Sequence, residues 1–289
     1  MKATQRFEFK SNIARDILQN SDNFSVPEKA IIEYVKNGYN YKQLNTNSIV
    51  HVKCSSDCYA IVDNGRGMSD DDLQNKFLIM HGENEDRKKG YLVDGLFGTG
   101  KIAAFGVGNI LSIKTVKDGL LNHIEIHRKD IEKTKGTESV PIRPIEVNKK
   151  VTEEENGTKI EIKDLKKSAQ KFNEKNIRKK IRDTIRMKNG VEVWFQDNKI
   201  EIHQPEISFE KTYETNDYPG LKELLKKNST LTIKVTKSPL EKSEAGICIY
   251  SQSVFHEATL AGTELNTFSD YIYGYGWIFG HLSIVPFNA

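Results

Sequence analysis

From Asn109 onward the apolar residues of this chain alternate with polar ones, and that period of two constrains the fold more than any other feature. "ILSIKTVKDGLLNHIEIH" predicts two strands joined by a tight turn at Asp118-Gly119, a pair that supplies the positive φ angles of a two-residue hairpin. "VTEEENGTKIEIKDL" carries a second turn at Asn156-Gly157. Alternating strands bury one face only, so something must cover that face. The cover lies upstream. In "SVPEKAIIEYVKNGY", Ser25 with Glu28 reads as a capping box and Pro27 falls in the first turn, where a missing N–H costs little. Ala30, Ile31, Tyr34 and Val35 form its buried stripe, and Gly38 is a stop signal. "SIVHVKC" and "CYAIVDNG" read as strands, and Ser69 with Asp72 caps a further helix through Leu73 and Phe77. The expected class is α/β (α+β), a two-layer sandwich: a mixed, mostly antiparallel sheet with helices on one face.

Beyond the hairpins, "KKSAQKFNEKNIRKKIRDTIRMK" predicts a basic helix with Phe172, Ile177, Ile181 and Ile185 on one stripe. "VEVWFQDNKIEIH" reads as another hairpin, and past Pro205 the composition loosens before strands resume at "TLTIKVT", "GICIYSQSVFHEA" and "GWIFGHLSIVPF". A chain of 289 residues has room for two domains, expected as 1–205 and 206–289. The net charge of +3 is too small to argue for nucleic acid by itself, and the run from Lys163 to Lys188 reads as a solvated face. Cys54, Cys58 and Cys248 do not make a disulfide framework, and the first two lack the second pair that zinc requires. The longest apolar run, 276–287, is interrupted by His281 and falls short of the ~20 residues of a membrane helix. A cytoplasmic, reducing location is expected.

Four groups of chemistry-bearing residues stand in a fixed order. Glu33 and Asn37, four apart, share one helix face. Asp63-x-Gly65-x-Gly67 closes a strand. "GLFGTGK", Gly95 to Lys101, has the spacing of a phosphate loop but is followed by Ile102 rather than the Ser or Thr that would hold magnesium. Thr158 opens a strand after a glycine. Each group alone has a bland reading: a polar face, a turn, a tight packing contact. Their combination and order do not.

Taken together these residues resemble the GHKL ATPases, the superfamily of gyrase B, the ninety-kilodalton heat-shock chaperone, sensor histidine kinases and MutL. Glu33-x-x-x-Asn37 is similar to their N box, "DNGRGM" to the first glycine box, "DGLFGTGKIAAF" to the second, and "NGTKIEI" to the threonine motif. The resemblance covers roughly residues 20 to 165 and implies the Bergerat ATP-binding fold. From about residue 205 it continues weakly as a partial transducer-like domain, closest in cadence to the MORC branch. It implies ATP and Mg2+ as ligands. Asp63 would accept from the exocyclic amine of adenine, with Gly65 and Gly67 letting the backbone approach, Met68 against the ring and Thr158 completing the polar contacts. Gly95, Phe97, Gly98, Thr99 and Gly100 would lie at the phosphates, with Lys101 adding charge. Asn37 would hold magnesium, so Ile102 is free to be core, and Glu33 would activate water. The activity so implied is slow ATP hydrolysis driving lid closure and homodimerisation, with a nucleic acid or protein client. Two alternatives are an ATP-binding module without turnover and a histidine-kinase-type phosphotransferase. The second lacks an acceptor His before Glu33. The resemblance also places a transducer lysine just beyond "SIVPFNA", so continuation into a longer chain is expected.

Overall fold

The computed structural model describes residues 12–43, 46–80, 100–136, 139–151, 154–186, 188–202, 205–218, 229–240, 245–251, 254–257 and 277–284. The chain divides into two compact units, Met1–Arg178 with Gly190–Ile200, and Lys179–Asn189 with Glu201–Ala289.

The first unit is built on an eight-stranded sheet of order β5-β4-β3-β6-β2-β1-β7-β8. Its strands are β1 (Ser48–Cys54), β2 (Cys58–Asp63), β3 (Gly108–Lys117), β4 (Leu120–His127), β5 (Arg143–Lys150), β6 (Gly157–Leu165), β7 (Val191–Phe195) and β8 (Asn198–Lys199). All neighbours are antiparallel except β1 and β7. The hairpin turn at Asp118-Gly119 forms as expected, with φ of 51° and 75°. Gln196 and Asp197 make the β7–β8 turn in the same left-handed region, at 51° and 62°.

Register shows why one face is covered. Val52, Ile61, Ile160, Ile113 and Ile124 are successive cross-strand partners over five strands, all buried. Cys54, Tyr59, Ile162, Leu111 and Ile126 make the row beside them. The opposite face carries Glu125, Glu161, Lys159 and Lys163, cross-paired by ion contacts of 2.7–3.3 Å. A side-chain period of two thus sends the apolar set to one side of the sheet.

Helices α1 (Ile13–Ser21), α2 (Pro27–Asn40), α3 (Asp70–Asp72, passing into a π-turn at Leu73–Phe77), α4 (Ala104–Val107) and α5 (Arg128–Lys133) belong to this unit, and α6 (Glu174–Ile185) begins in it. Helix α2 packs on β1 and β2, and α4 on β3. The Ser69/Asp72 capping box is present in both directions.

Several local expectations are corrected. The Ser25/Glu28 capping box does not form: Ser25 ends a 3-10 turn, Asp22–Phe24, and Val26 is the N-cap of α2 without a side-chain bond. Gly38 does not stop α2, which continues to Asn40. Asn156-Gly157 closes no hairpin, because β6 inserts between β3 and β2 while β5 pairs with β4. The basic segment becomes helical only at Glu174; Lys163 lies in β6, paired with Glu125 and Glu161. Helix α1 and strands β5 and β9 carry no sequence signal strong enough to name them, since β5 and β9 are mostly exposed and α1 is short.

The second unit has a five-stranded sheet of order β12-β11-β13-β10-β9. Its strands are β9 (Ile207–Glu214), β10 (Thr230–Thr236), β11 (Gly246–Ser251), β12 (Val254–Glu257) and β13 (Ile278–Ile284). β11 and β13 run parallel and the other neighbours antiparallel. Buried Tyr250 donates to the Asp183 carbonyl (3.1 Å), tying β11 to the 179–189 segment of this unit. Among the described residues no helix is long and apolar enough to cross a membrane.

Candidate active site

Two residues along each strand from the isoleucine row, still on the helix-covered face, the side chains turn polar on β2, β6, β3 and β4, while β1 keeps the buried Val50. Val50, Asp63, Thr158, Thr115 and Asn122 are successive cross-strand partners. The core ends here, and a row of polar groups faces the helix layer. Asp63 and Thr158, 95 positions apart in sequence, are direct neighbours.

The Asp63 carboxylate accepts from the Gly65 N–H at 2.8 Å. Burial pushes its carboxyl up to about 7, against the lowering effect of the Gly65 and Thr158 backbone N–H groups. The side chain keeps some exposure, so it is desolvated yet reachable. Such a group is costly unless something compensates it, as a hydrogen-bonding ligand would.

The glycines around it are required by close approach. A Cβ on Gly67, which has φ of +66°, would lie 1.8 Å from the Val116 carbonyl oxygen. A Cβ on Gly65 would sit 2.7 Å from Asp63 Oδ1 and 2.8 Å from the Tyr41 carbonyl oxygen. Asn64 fixes the loop from the other side, accepting from Ile49 N–H (2.8 Å) and donating to the Asn47 carbonyl (3.1 Å). Met68 N–H donates to Thr115 Oγ1 at 2.9 Å, so the loop is also tied to the polar row.

Helix α2 crosses the sheet at Gly38, where a Cβ would be 2.9 Å from Val50 and 3.1 Å from Asp63 Cβ. This is the true role of that glycine: it lets the helix bearing Glu33 and Asn37 rest on the strand end bearing Asp63. One turn and a half earlier along α2, Glu33 Oε2 lies against Gly100, 2.6 Å from where its Cβ would be. The Gly38 contact with the sheet and the Glu33 contact with Gly100 are thus separated by about 7.5 Å along α2 at 1.5 Å per residue. Glu33 is oriented by Lys36, whose Nζ donates to Oε1 at 3.0 Å. Asn37 is partly exposed on the same face, and among the described residues its carboxamide has no hydrogen-bond partner.

Tyr34 ties the second glycine segment to α2. Its hydroxyl donates to the Lys101 carbonyl (2.8 Å) and accepts from the Ala104 N–H (3.1 Å), and its burial raises its pKa. Gly100–Ile102 is a 3-10 turn, and Ile102 is buried. The Lys101 ammonium donates to the Ile79 carbonyl and lies 5.9 Å from the Phe77 ring centroid, and burial lowers its pKa to about 8. Gly95, Phe97, Gly98 and Thr99 lie outside the described residues, as does His81.

Sequence reasoning did not find Thr115, Tyr34 as a clamp, or Gly38 as a contact. Thr115 was reachable: it lies two positions beyond Ile113 on a strand whose period was plain. Among the described residues no cluster of three or more His, Cys, Asp or Glu side chains is placed to hold a metal. A cation here would rest on the Asn37 oxygen, phosphate oxygens and water, a set that suits Mg2+.

Comparison with known proteins bears on the same stretch of chain. Residues 24–158 match the family described as "Histidine kinase-, DNA gyrase B-, and HSP90-like ATPase". That match, over a little under half of the chain, supports a domain of the GHKL ATPase superfamily, a family whose ligand is ATP. Over 123 residues the chain is 37% identical to a protein of Herpetosiphon aurantiacus named "Putative type II restriction enzyme HgiDII". That match covers 41% of this chain and 20% of the other protein's length.

Proposed function

We propose that the first unit binds ATP with Mg2+ and hydrolyses it slowly as a conformational switch. The observation that carries this is the polar row at the end of the core, with Asp63 and Thr158 in register beneath a helix bearing Glu33 and Asn37. Asp63 accepts from the adenine amine and Thr158 lines the same edge. Gly65 and Gly67 let the backbone close on the base, with Met68 against the ring. Asn37 would hold the magnesium, which would supply neutralisation of the phosphate charge. Glu33 takes a proton from water as that oxygen attacks the terminal phosphorus, and the bridging oxygen leaves with ADP. The phosphates are assigned to the second glycine segment, Gly95 to Gly100, a reading supported by the contact of Gly100 with Glu33.

In this reading the first unit is the ATP-binding domain and the second a partial transducer-like domain. ATP binding drives homodimerisation. The client is a nucleic acid or a protein, the former favoured by the printed name of the Herpetosiphon relative.

The test is calorimetric titration with ATP, with and without magnesium, beside phosphate release by wild type and Glu33→Ala. Magnesium-dependent binding in both proteins, with release only in wild type, supports the reading. Release by Glu33→Ala at the wild-type rate would remove Glu33 as the base. Binding without release by either protein would leave an ATP-held module rather than an ATPase.

A further inference from the structure

Thr115 is buried at 1% exposure and touches the pocket only through its neighbours. Its single oxygen has three hydrogen-bond partners: the Met68 N–H at 2.9 Å, the Gly157 carbonyl at 3.1 Å and the Thr158 hydroxyl at 3.0 Å. A hydroxyl owns one proton and two lone pairs. The Met68 N–H can only donate, so it occupies one lone pair. The Gly157 carbonyl can only accept, so it takes the Thr115 proton. The remaining lone pair must then receive the proton of Thr158. Gly157 opens β6 as the cross-strand partner of Val116 on β3, so its backbone is set by the sheet, and a Cβ there would come 2.3 Å from the Asp63 carbonyl oxygen.

We infer that Thr115 is a specificity-positioning residue: by consuming the Thr158 proton it leaves Thr158 Oγ1 able only to accept, so that the pocket selects a 6-aminopurine over a 6-oxopurine. This rests on the proposed adenine pocket. The ionised Asp63 and the fixed Thr158 both present lone pairs to the base edge. An exocyclic amine satisfies them, whereas a 6-oxo group meets Thr158 with lone pair against lone pair. Buried groups left in such opposition discriminate more strongly than shape does. Asp63 alone would not suffice, because a 6-oxopurine still offers it the proton on N1. Thr158 is the group that reads position 6, and Thr115 decides which way it reads.

The experiment is competition binding of ATP and inosine triphosphate, which share ribose and phosphates, to wild type, Thr115→Val and Thr115→Ser. In Thr115→Val the Thr158 hydroxyl is free to donate to the 6-oxo oxygen. The ATP-to-inosine-triphosphate affinity ratio is expected to fall about tenfold, through tighter inosine nucleotide binding, and Thr115→Ser should restore it. A purely structural role would weaken both nucleotides together and leave the ratio unchanged. If Thr115→Val does not fold, judged by circular dichroism, Thr115→Ala removes the same oxygen without added bulk. Wild type that binds ATP while Thr115→Val or Thr115→Ala keeps its ratio overturns this inference alone. Wild type that binds neither nucleotide overturns the pocket reading and this inference with it.

Discussion

Replacing Asp63 with Asn should stabilise the nucleotide-free protein at alkaline pH and do little at acidic pH. The carboxyl is raised from 3.8 to about 7 by burial, and the Gly65 and Thr158 N–H groups only partly offset this. Below about pH 4 both folded and unfolded states carry a proton, and no difference arises. Between about 4 and 7 the unfolded state ionises first, so stability falls as pH rises; above about 7 the loss is complete. Three units at 1.36 kcal/mol each set a ceiling of about 4 kcal/mol. The side chain keeps some exposure, and solvent screening reduces this to about 2 kcal/mol. Asn retains the oxygen that accepts from Gly65, but turns an N–H toward the Thr158 N–H, costing about 1 kcal/mol. The net expectation is a variant about 1 kcal/mol more stable than wild type at pH 8 and equal to or slightly below it at pH 5. Urea denaturation of both proteins at pH 5, 6, 7 and 8, without nucleotide, measures this. A stability difference that does not change with pH would show that Asp63 is not desolvated in the folded state, and the reasoning would fail.

The same titration predicts that ATP affinity rises with pH up to about 7 and then levels, because an amine donor favours the ionised carboxylate. Calorimetry in buffers of differing ionisation enthalpy should show proton release on binding near pH 6.5. Gly67→Ala forces a Cβ to within 1.8 Å of the Val116 oxygen at a φ of +66°, so a loss of at least about 2 kcal/mol and of ATP binding is expected; a folded, ATP-competent variant would contradict it. Tyr34→Phe leaves the Lys101 carbonyl and the Ala104 N–H without their partner, costing about 1–3 kcal/mol by chemical denaturation. Ile61→Ala, within the apolar row, should cost about 2–5 kcal/mol while leaving the site residues in place if the protein folds.

The sequence by itself determined which faces are apolar and where the chain turns. The alternation after Asn109 defined β3 and β4, the Asp118-Gly119 pair fixed their hairpin, and the stripe of α2 identified its buried side, because these depend on neighbours within a few residues. The order of Glu33, Asn37, Asp63, the glycines and Thr158 was also legible, and with it the superfamily. Strand order was not legible. That β6 lies between β2 and β3 and puts Thr158 beside Asp63 depends on pairing among strands far apart in sequence, and no local period encodes it. The role of Gly38 was misread for the same reason: a glycine that ends a helix and one that admits a strand look alike until the strand is present. Thr115 shows the limit most plainly. Its place on the covered face followed from period, but its hold on Met68, Gly157 and Thr158 exists only because two segments remote in sequence converge on one oxygen of β3. Local chemistry chose the residue types; long-range pairing decided which of them meet.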